Sequence, residues 1–307
     1  MGIMARLTRR TERGPLLPQR PWYDEPSALD EIDTRSGGRS DDRLVLDSWV
    51  RNGYAIVEGV IPAAAIDAML EELDGLFTAT SPTPGLEFCD LEFGADGHRE
   101  TIDHAALLER TPEQRHAARD RSSWRVHAFV DRSPAADAVR SAPELRRVAS
   151  MILGRETEAS YSINFHNGSV QALHQDCAVF HLGVPNWIVG AWIACEDITE
   201  GSGPLVFYPG SHRDAMYAEF DDYPNTNLRT ASDDVAARYN RAVASRADDF
   251  TEERFLARKG DVLFWNGMLI HGGSAITDPG TTRKSLVVHF VPDGADAVKR
   301  VTLPARW

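Results

Sequence analysis

The second half of the chain is a succession of short β-type runs, and that succession limits the fold more than any other feature. Residues 161–165, 170–180, 188–194, 205–208, 262–265 and 285–291 are rich in β-branched, aromatic and apolar side chains, with Gly, Pro and Asn turns between them. Several short strands at such spacing predict an antiparallel barrel or sandwich, in which alternate residues of a strand point to opposite faces.

The first half reads as helices around one early strand. Residues 54–57 form a short strand closed by Glu58 and Gly59. Pro62 then opens a helix in which Ile66, Met69, Leu70, Leu73 and Phe77 recur every three or four positions, with Asp67, Glu71, Glu72 and Asp74 on the other side. A loop is expected over 78–100, helical character over 105–121, and a short helix over 143–153 that carries Leu145, Val148, Ala149 and Ile152 inward. Residues 1–42 are rich in Arg, Pro, Gly, Ser and Asp, with Trp22 and Tyr23 as the only large anchors, and read as an extended arm. The remainder, 43–307, reads as a single domain with a polar, partly helical insertion over 213–258 that covers a mouth or decorates the surface.

Composition narrows the function classes. A chain of 307 residues that is 42% hydrophobic can bury a sizeable core without staples. Its net charge of -13 argues against a broad nucleic-acid footprint, and the one dense basic cluster, Arg6, Arg9, Arg10 and Arg13, reads as a loose tail. Cys89, Cys177 and Cys195 are too few and too scattered for a disulfide framework or a cysteine-based zinc site. With no hydrophobic leader and no membrane-length apolar run, the expectation is a cytoplasmic monomer or homodimer that handles a small molecule, with no nucleic-acid or membrane partner. There is no Gly-rich phosphate loop and no Gly-x-Ser-x-Gly element, which removes the best handles for nucleotide-binding and hydrolase readings.

The most informative segment is Leu173-His174-Gln175-Asp176. On a strand, His174 and Asp176 share a face and present an imidazole and a carboxylate to one point in space. The best third donor is His271, in Leu269-Ile270-His271-Gly272-Gly273 after the apolar run 262–265. Two histidines and one carboxylate on one face of iron leave three positions open for a bidentate co-substrate and dioxygen; zinc also tolerates this donor set. Arg283, twelve residues after His271 at the start of the run 285–291, is costly to bury without an anion, and its fork matches the distal carboxylate of 2-oxoglutarate. Ser285 lies two positions on and can add a hydroxyl to the same site. Asn164, His166 and Gln171, ahead of the first ligand, are candidate substrate contacts together with Trp187 and Trp192. Trp192 also suits core packing. His212, in Pro209-Gly210-Ser211-His212, reads as a turn-fixing residue, and His181 as a core or channel-lining one.

Four features taken in order resemble the phytanoyl-CoA hydroxylase-like family of non-haem iron, 2-oxoglutarate-dependent oxygenases. They are residues 173–176, the run from Ala191-Trp192 through Asp197 to Gly203-Pro204-Leu205, the turn 208–212, and the late His271 with Arg283 behind it. The resemblance covers roughly residues 44–291. It implies a double-stranded β-helix (jelly roll, cupin-like) core, all-β with flanking helices, iron(II) held by His174, Asp176 and His271, and 2-oxoglutarate and dioxygen as co-substrates. Arg283 stands one position further from the distal histidine than is usual in relatives, so Lys284 remains an alternative contributor. Relatives that halogenate vacate the carboxylate position, whereas Asp176 is present here, so hydroxylation of an unactivated C–H bond is the expected outcome. Desaturation, cyclisation or epimerisation starts from the same hydrogen abstraction. A non-enzymatic cupin-like binding protein is the alternative from another class.

Overall fold

The computed structural model describes residues 20–94, 97–168, 170–179, 186–214, 228 and 231–295. The first half supplies α1 (Ala28–Arg35), α2 (Ser40–Asn52), β1 (Tyr54–Val57), α3 (Ala63–Gly75), β2 (Glu87–Glu92) and β3 (Arg99–Asp103). It continues with α4 (His104–Leu108), α5 (Pro112–Arg121), β4 (Arg125–His127), α6 (Pro134–Arg140) and α7 (Pro143–Leu153). Then follow β5 (Thr157–Phe165), β6 (Val189–Ala194), β7 (Leu205–Phe207), α8 (Asp233–Ala247), β8 (Glu253–Arg254), β9 (Val262–Asn266), β10 (His271–Gly273) and β11 (Ser285–Pro292).

The strands pair antiparallel in two sheets, one of eight in the order β1-β9-β6-β11-β5-β4-β2-β3 and one of three in the order β10-β7-β8. Alternation along the central strands builds two cores. Val189, Ala191 and Ile193 of β6, with Leu286, Val288 and Phe290 of β11, pack outward against helix residues such as Ile66, Met69, Leu145 and Ile152. Trp192, Leu263, Trp265 and Val287 face the other way and meet Leu205 and Phe207 of the small sheet. These strands read as continuous apolar runs because both of their faces are covered. The result is a mixed α/β architecture with a double-stranded β-helix-like core.

Helix α7 forms where its pattern predicts it. Pro143 occupies its first turn, Gly154 ends it at φ 65°, and Leu145, Val148, Ala149, Ile152 and Leu153 are buried. Each of its large aliphatic side chains contributes about 2 kcal/mol by burial.

Three local expectations are corrected. From residue 20 on, the extended arm gives way to a short 3-10 turn at Trp22–Asp24 and to α1. Trp22 donates to the Ile152 carbonyl at 2.7 Å and Tyr23 meets Trp49 edge-on at 5.6 Å, so the two aromatics fasten this segment to the helical core. The tail arginines Arg6, Arg9, Arg10 and Arg13 lie outside the described residues. The stretch 78–100 contains β2 and part of β3; a bulge between Phe88 and Leu91, with Asp90 at φ 65°, breaks the two-residue period that would have marked a strand. The span 105–121 is helical as expected and divides in two, because a capping box of Thr111 with Gln114 and Pro112 at the first helical position start α5 afresh. The run 170–180 is no strand among its described residues: it makes one bridge at His174 and a 3-10 turn at Asp176–Ala178. The backbone N–H of Gln175 is taken by the Tyr239 hydroxyl at 3.0 Å instead of a ladder partner. That contact also places α8, inside the expected insertion, against the core, where Tyr239 and Val243 are buried. Among the described residues no helix is long and apolar enough to cross a membrane.

Candidate metal centre and its pocket

His174 and His271 form an isolated antiparallel bridge at the edge of the small sheet. Each backbone N–H donates to the other's carbonyl, at 2.9 and 3.0 Å, and residues paired in this way carry their side chains on one face. The two imidazoles therefore lie side by side, with centroids 4.4 Å apart. The segment before His271 is pinned because Ile270 N–H donates to Ser211 Oγ at 2.9 Å, within the 208–213 turn. After His174 the chain turns, with Val179 N–H returning to the Asp176 carbonyl at 2.8 Å, and this turn rather than strand alternation brings the carboxylate inward.

The ligand atoms of His174, Asp176 and His271 all lie within 4.8 Å of one another, and all three residues are buried. His174 Nδ1 is 2.8 Å from the Ala172 carbonyl and His271 Nδ1 is 2.9 Å from that of Leu269. A carbonyl only accepts, so each Nδ1 carries the proton and each Nε2 offers its lone pair inward. Burial, reinforced by the neighbouring His174, lowers His271 to about 4, which keeps it neutral and able to ligate. Burial also raises the Asp176 carboxyl, but His289 and His271 beside it outweigh that and hold it well below the usual carboxylate range. Asp176 Oδ2 accepts from Trp265 Nε1 at 2.7 Å and His289 Nε2 at 3.0 Å. Asp176 Oδ1 faces the two imidazoles, 3.6 Å from His174 Nε2 and 3.7 Å from His271 Nε2.

This donor set fits iron(II) that keeps positions open for co-substrate. It lies in the wall of a cavity of about 190 Å³, roughly six waters' worth of volume. Arg283 and Ser285 line the same cavity. The buried Arg283 guanidinium donates to the Gly203 carbonyl and packs against Gly168, and burial draws its pKa down to about 10. Ser285 Oγ is buried with no hydrogen-bond partner among the described residues, so it has donor and acceptor capacity to offer an occupant.

The substrate candidates divide. Gln171 and Trp192 line the cavity, with the Trp192 ring edge-on to Phe255 at 5.7 Å. Asn164 and His166 do not. Register sets Asn164 opposite Leu286 and Val126 on the helix side, where its amide lies 3.5 Å from Met69 Sδ, and His166 stacks on Trp124 at 4.9 Å. The two share a face of the sheet, but it is the outer one. Trp187 is likewise in the helix-side core. His212 sits in the turn Ser211–Arg213, packed on Gly53, and His181 lies outside the described residues. Sequence reasoning missed His289 and Trp265, and also Arg125, whose guanidinium is bonded to Asp90 in the cavity wall. The signal for His289 was its parity with Ser285 in β11.

A family model for phytanoyl-CoA dioxygenase (PhyH) matches residues 49–285. The human peroxisomal phytanoyl-CoA dioxygenase is 25% identical over 148 residues, which cover 48% of this chain and 40% of that protein. A probable phytanoyl-CoA dioxygenase of Caenorhabditis elegans is 30% identical over 124 residues, 39% of this chain and 36% of its own length. The matched stretch thus spans about two fifths of the curated relatives' length. Among solved structures, the chain is similar to the non-haem α-ketoglutarate-dependent carbocyclase SnoK from nogalamycin biosynthesis, with a TM-score of 0.59 and 15% identity over 84% of this chain and 85% of that one. It is also similar to the epimerase SnoN from the same biosynthesis, with a TM-score of 0.54 and 16% identity over 87% and 84% of the two chains. At these identities the two structures speak for the fold alone.

Proposed function

The chain belongs to the phytanoyl-CoA dioxygenase (PhyH) family, and from that premise we propose that it is an iron(II)- and 2-oxoglutarate-dependent oxygenase that hydroxylates an unactivated C–H bond of a polar small molecule. The observation that carries this reading is the convergence of His174, Asp176 and His271 on one point of a cavity that also presents Arg283 and Ser285.

His174 Nε2, His271 Nε2 and Asp176 Oδ1 would hold the metal. When bound, iron(II) supplies the redox chemistry that couples decarboxylation of 2-oxoglutarate to succinate with oxidation of the substrate C–H bond. Arg283 binds the distal carboxylate of the co-substrate, and Ser285 Oγ adds a hydrogen bond beside it. The apolar walls, among them Ile163, Phe165, Val179, Leu205 and Val287, exclude water around the reacting carbon. Asp90, Arg99, Arg125 and Gln171 in the same wall offer polar contacts, which supports a substrate with charged or hydrogen-bonding groups rather than a bare hydrocarbon. Asp176 fills the position that a halogenating site leaves to chloride, which favours oxygen insertion.

An anaerobic visible spectrum of the apoprotein, titrated with iron(II) and then 2-oxoglutarate, tests the cofactor pair. The weak charge-transfer band of a chelated 2-oxo acid is expected, and its loss in His271→Ala. A folded, iron-loaded protein without the band would point instead to a binding-only cupin-like protein. Product mass then fixes the outcome. Gain of one oxygen supports hydroxylation, loss of two hydrogens selects desaturation or cyclisation, and unchanged mass with altered stereochemistry selects epimerisation.

A further inference from the structure

The two donors to Asp176 Oδ2 come from a single row of the large sheet. Register sets Tyr161, His289, Gly190, Trp265 and Tyr54 opposite one another across β5, β11, β6, β9 and β1. Directly opposed residues share a face, so His289 and Trp265 stand on either side of Gly190, about 10 Å apart along the row. Both nevertheless reach the same oxygen, and their rings meet edge-on with centroids 5.9 Å apart. Gly190 makes this reach sterically available. A Cβ on Gly190 would lie 2.1 Å from Trp265 Cε2 and 2.3 Å from Cζ2, because the indole leans across β6 toward the carboxylate. The strand dihedrals suit any residue at that position, so the requirement is room and not backbone conformation. Trp265 also lies against His271, at 5.1 Å between centroids, and so touches two of the three ligands.

We infer that Trp265, His289 and Gly190 act together as a positioning unit for the metal-binding carboxylate: two donors occupy Asp176 Oδ2, the glycine gives the indole room, and Oδ1 alone is left facing His174 and His271. A carboxylate fixed in this way enters the site in one orientation and with one oxygen, whereas a carboxylate without these donors rotates and can chelate through both. The inference rests on the metal reading of the site. It goes beyond that reading in assigning roles to three residues that contact no metal.

Cobalt(II) titration of the purified full-length apoprotein, followed by the visible absorption of the bound ion, tests it without turnover. Trp265→Phe removes one donor and keeps an aromatic ring, His289→Leu removes the other, His289→Gln retains an N–H, and Gly190→Ala fills the gap beneath the indole. Trp265→Phe, His289→Leu and Gly190→Ala are expected to bind cobalt about 10- to 100-fold more weakly with an altered absorption envelope. His289→Gln recovers most of the affinity, and the apoprotein melting temperature of Trp265→Phe stays close to wild type. Should Gly190→Ala fail to fold, Trp265→Phe and His289→Leu carry the comparison. Wild-type affinity and spectrum in both of those variants would overturn the proposal while leaving the metal site standing. A wild-type protein that binds no cobalt would overturn the metal reading and this proposal with it.

Discussion

Arg283 owes its placement to two glycines. Gly203 offers a carbonyl to its guanidinium, and Gly168, at φ 70°, leaves the space in which the group lies; a Cβ on Gly168 would be 2.5 Å from Arg283 Nε. A charge-assisted contact to a buried carboxylate is worth about 1.5–3 kcal/mol, so Arg283→Ala is expected to weaken 2-oxoglutarate binding by about 10- to 100-fold while leaving metal affinity unchanged. Gly168→Ala is expected to act in the same direction by about tenfold, by displacing the guanidinium and by forcing a side chain into the left-handed region. Calorimetric titration of the cobalt-loaded protein with 2-oxoglutarate checks both, and unchanged affinity in Arg283→Ala would remove the residue from the co-substrate site. The triad was legible because its residue types are scarce inside a core and their order along the chain carries the pattern. Asn164 and His166 lie off the cavity for a physical reason. Parity says which residues share a face, but with both faces of β5 covered it does not say which face is the inside. His289 and Trp265 stayed hidden because one histidine and one tryptophan in apolar strands read as packing until the carboxylate arrives from another segment.

The central strands announced themselves and the breaks between elements did not. β6, β9 and β11 are buried on both faces and rich in apolar residues, so they stand out in the sequence, whereas the bulge in β2 and the capping box that divides α4 from α5 are local events that periodicity averages away. The junction of α2 and β1 is the sharpest such event. Gly53 ends α2 at φ 80°, its carbonyl accepts from Asn266 N–H at 2.9 Å, and Asn52 beside it accepts from Gly210 N–H at 2.9 Å. One turn thus fastens a helix, β9 and the 208–213 turn that anchors the approach to His271. A Cβ on Gly53 would lie 2.5 Å from the His212 ring, in a backbone conformation that costs an L-residue about 1–2 kcal/mol before any clash. Gly53→Ala is therefore expected to destabilise the fold by more than about 2 kcal/mol, read as a lowered urea midpoint with an unchanged slope. A loss below half a kcal/mol would mean that this junction yields without cost.

Helices cover one face of the large sheet and the small sheet covers the other, so the molecule buries titratable groups on both sides of that sheet. His127 on β4, His166 at the end of β5 and His212 in the turn beside α2 are each lowered to about 4, with burial the leading cause in all three. The ordinary histidine value near 6.5 applies to the unfolded chain. Between these limits the unfolded chain binds protons that the folded one refuses, so the stabilisation from keeping these rings neutral is fully present above about 6.5 and is lost as the pH falls toward 4. Each group contributes up to about 1.4 kcal/mol per pH unit, and three together about 4 kcal/mol per unit across the middle of the window. Asp24 and Glu158, whose carboxyls burial raises, act in the opposite direction. A domain of ordinary stability, about 5–15 kcal/mol, cannot lose that much for long. The metal-free protein is expected to unfold cooperatively between pH 4 and 6, with protons taken up on unfolding, measured by circular dichroism against pH and by urea midpoints at half-unit steps. Urea midpoints that stay flat from pH 6.5 to 4 would show that the three imidazoles are not held neutral by the fold, and the two-sided burial inferred from the strand pattern would lose its clearest thermodynamic signature.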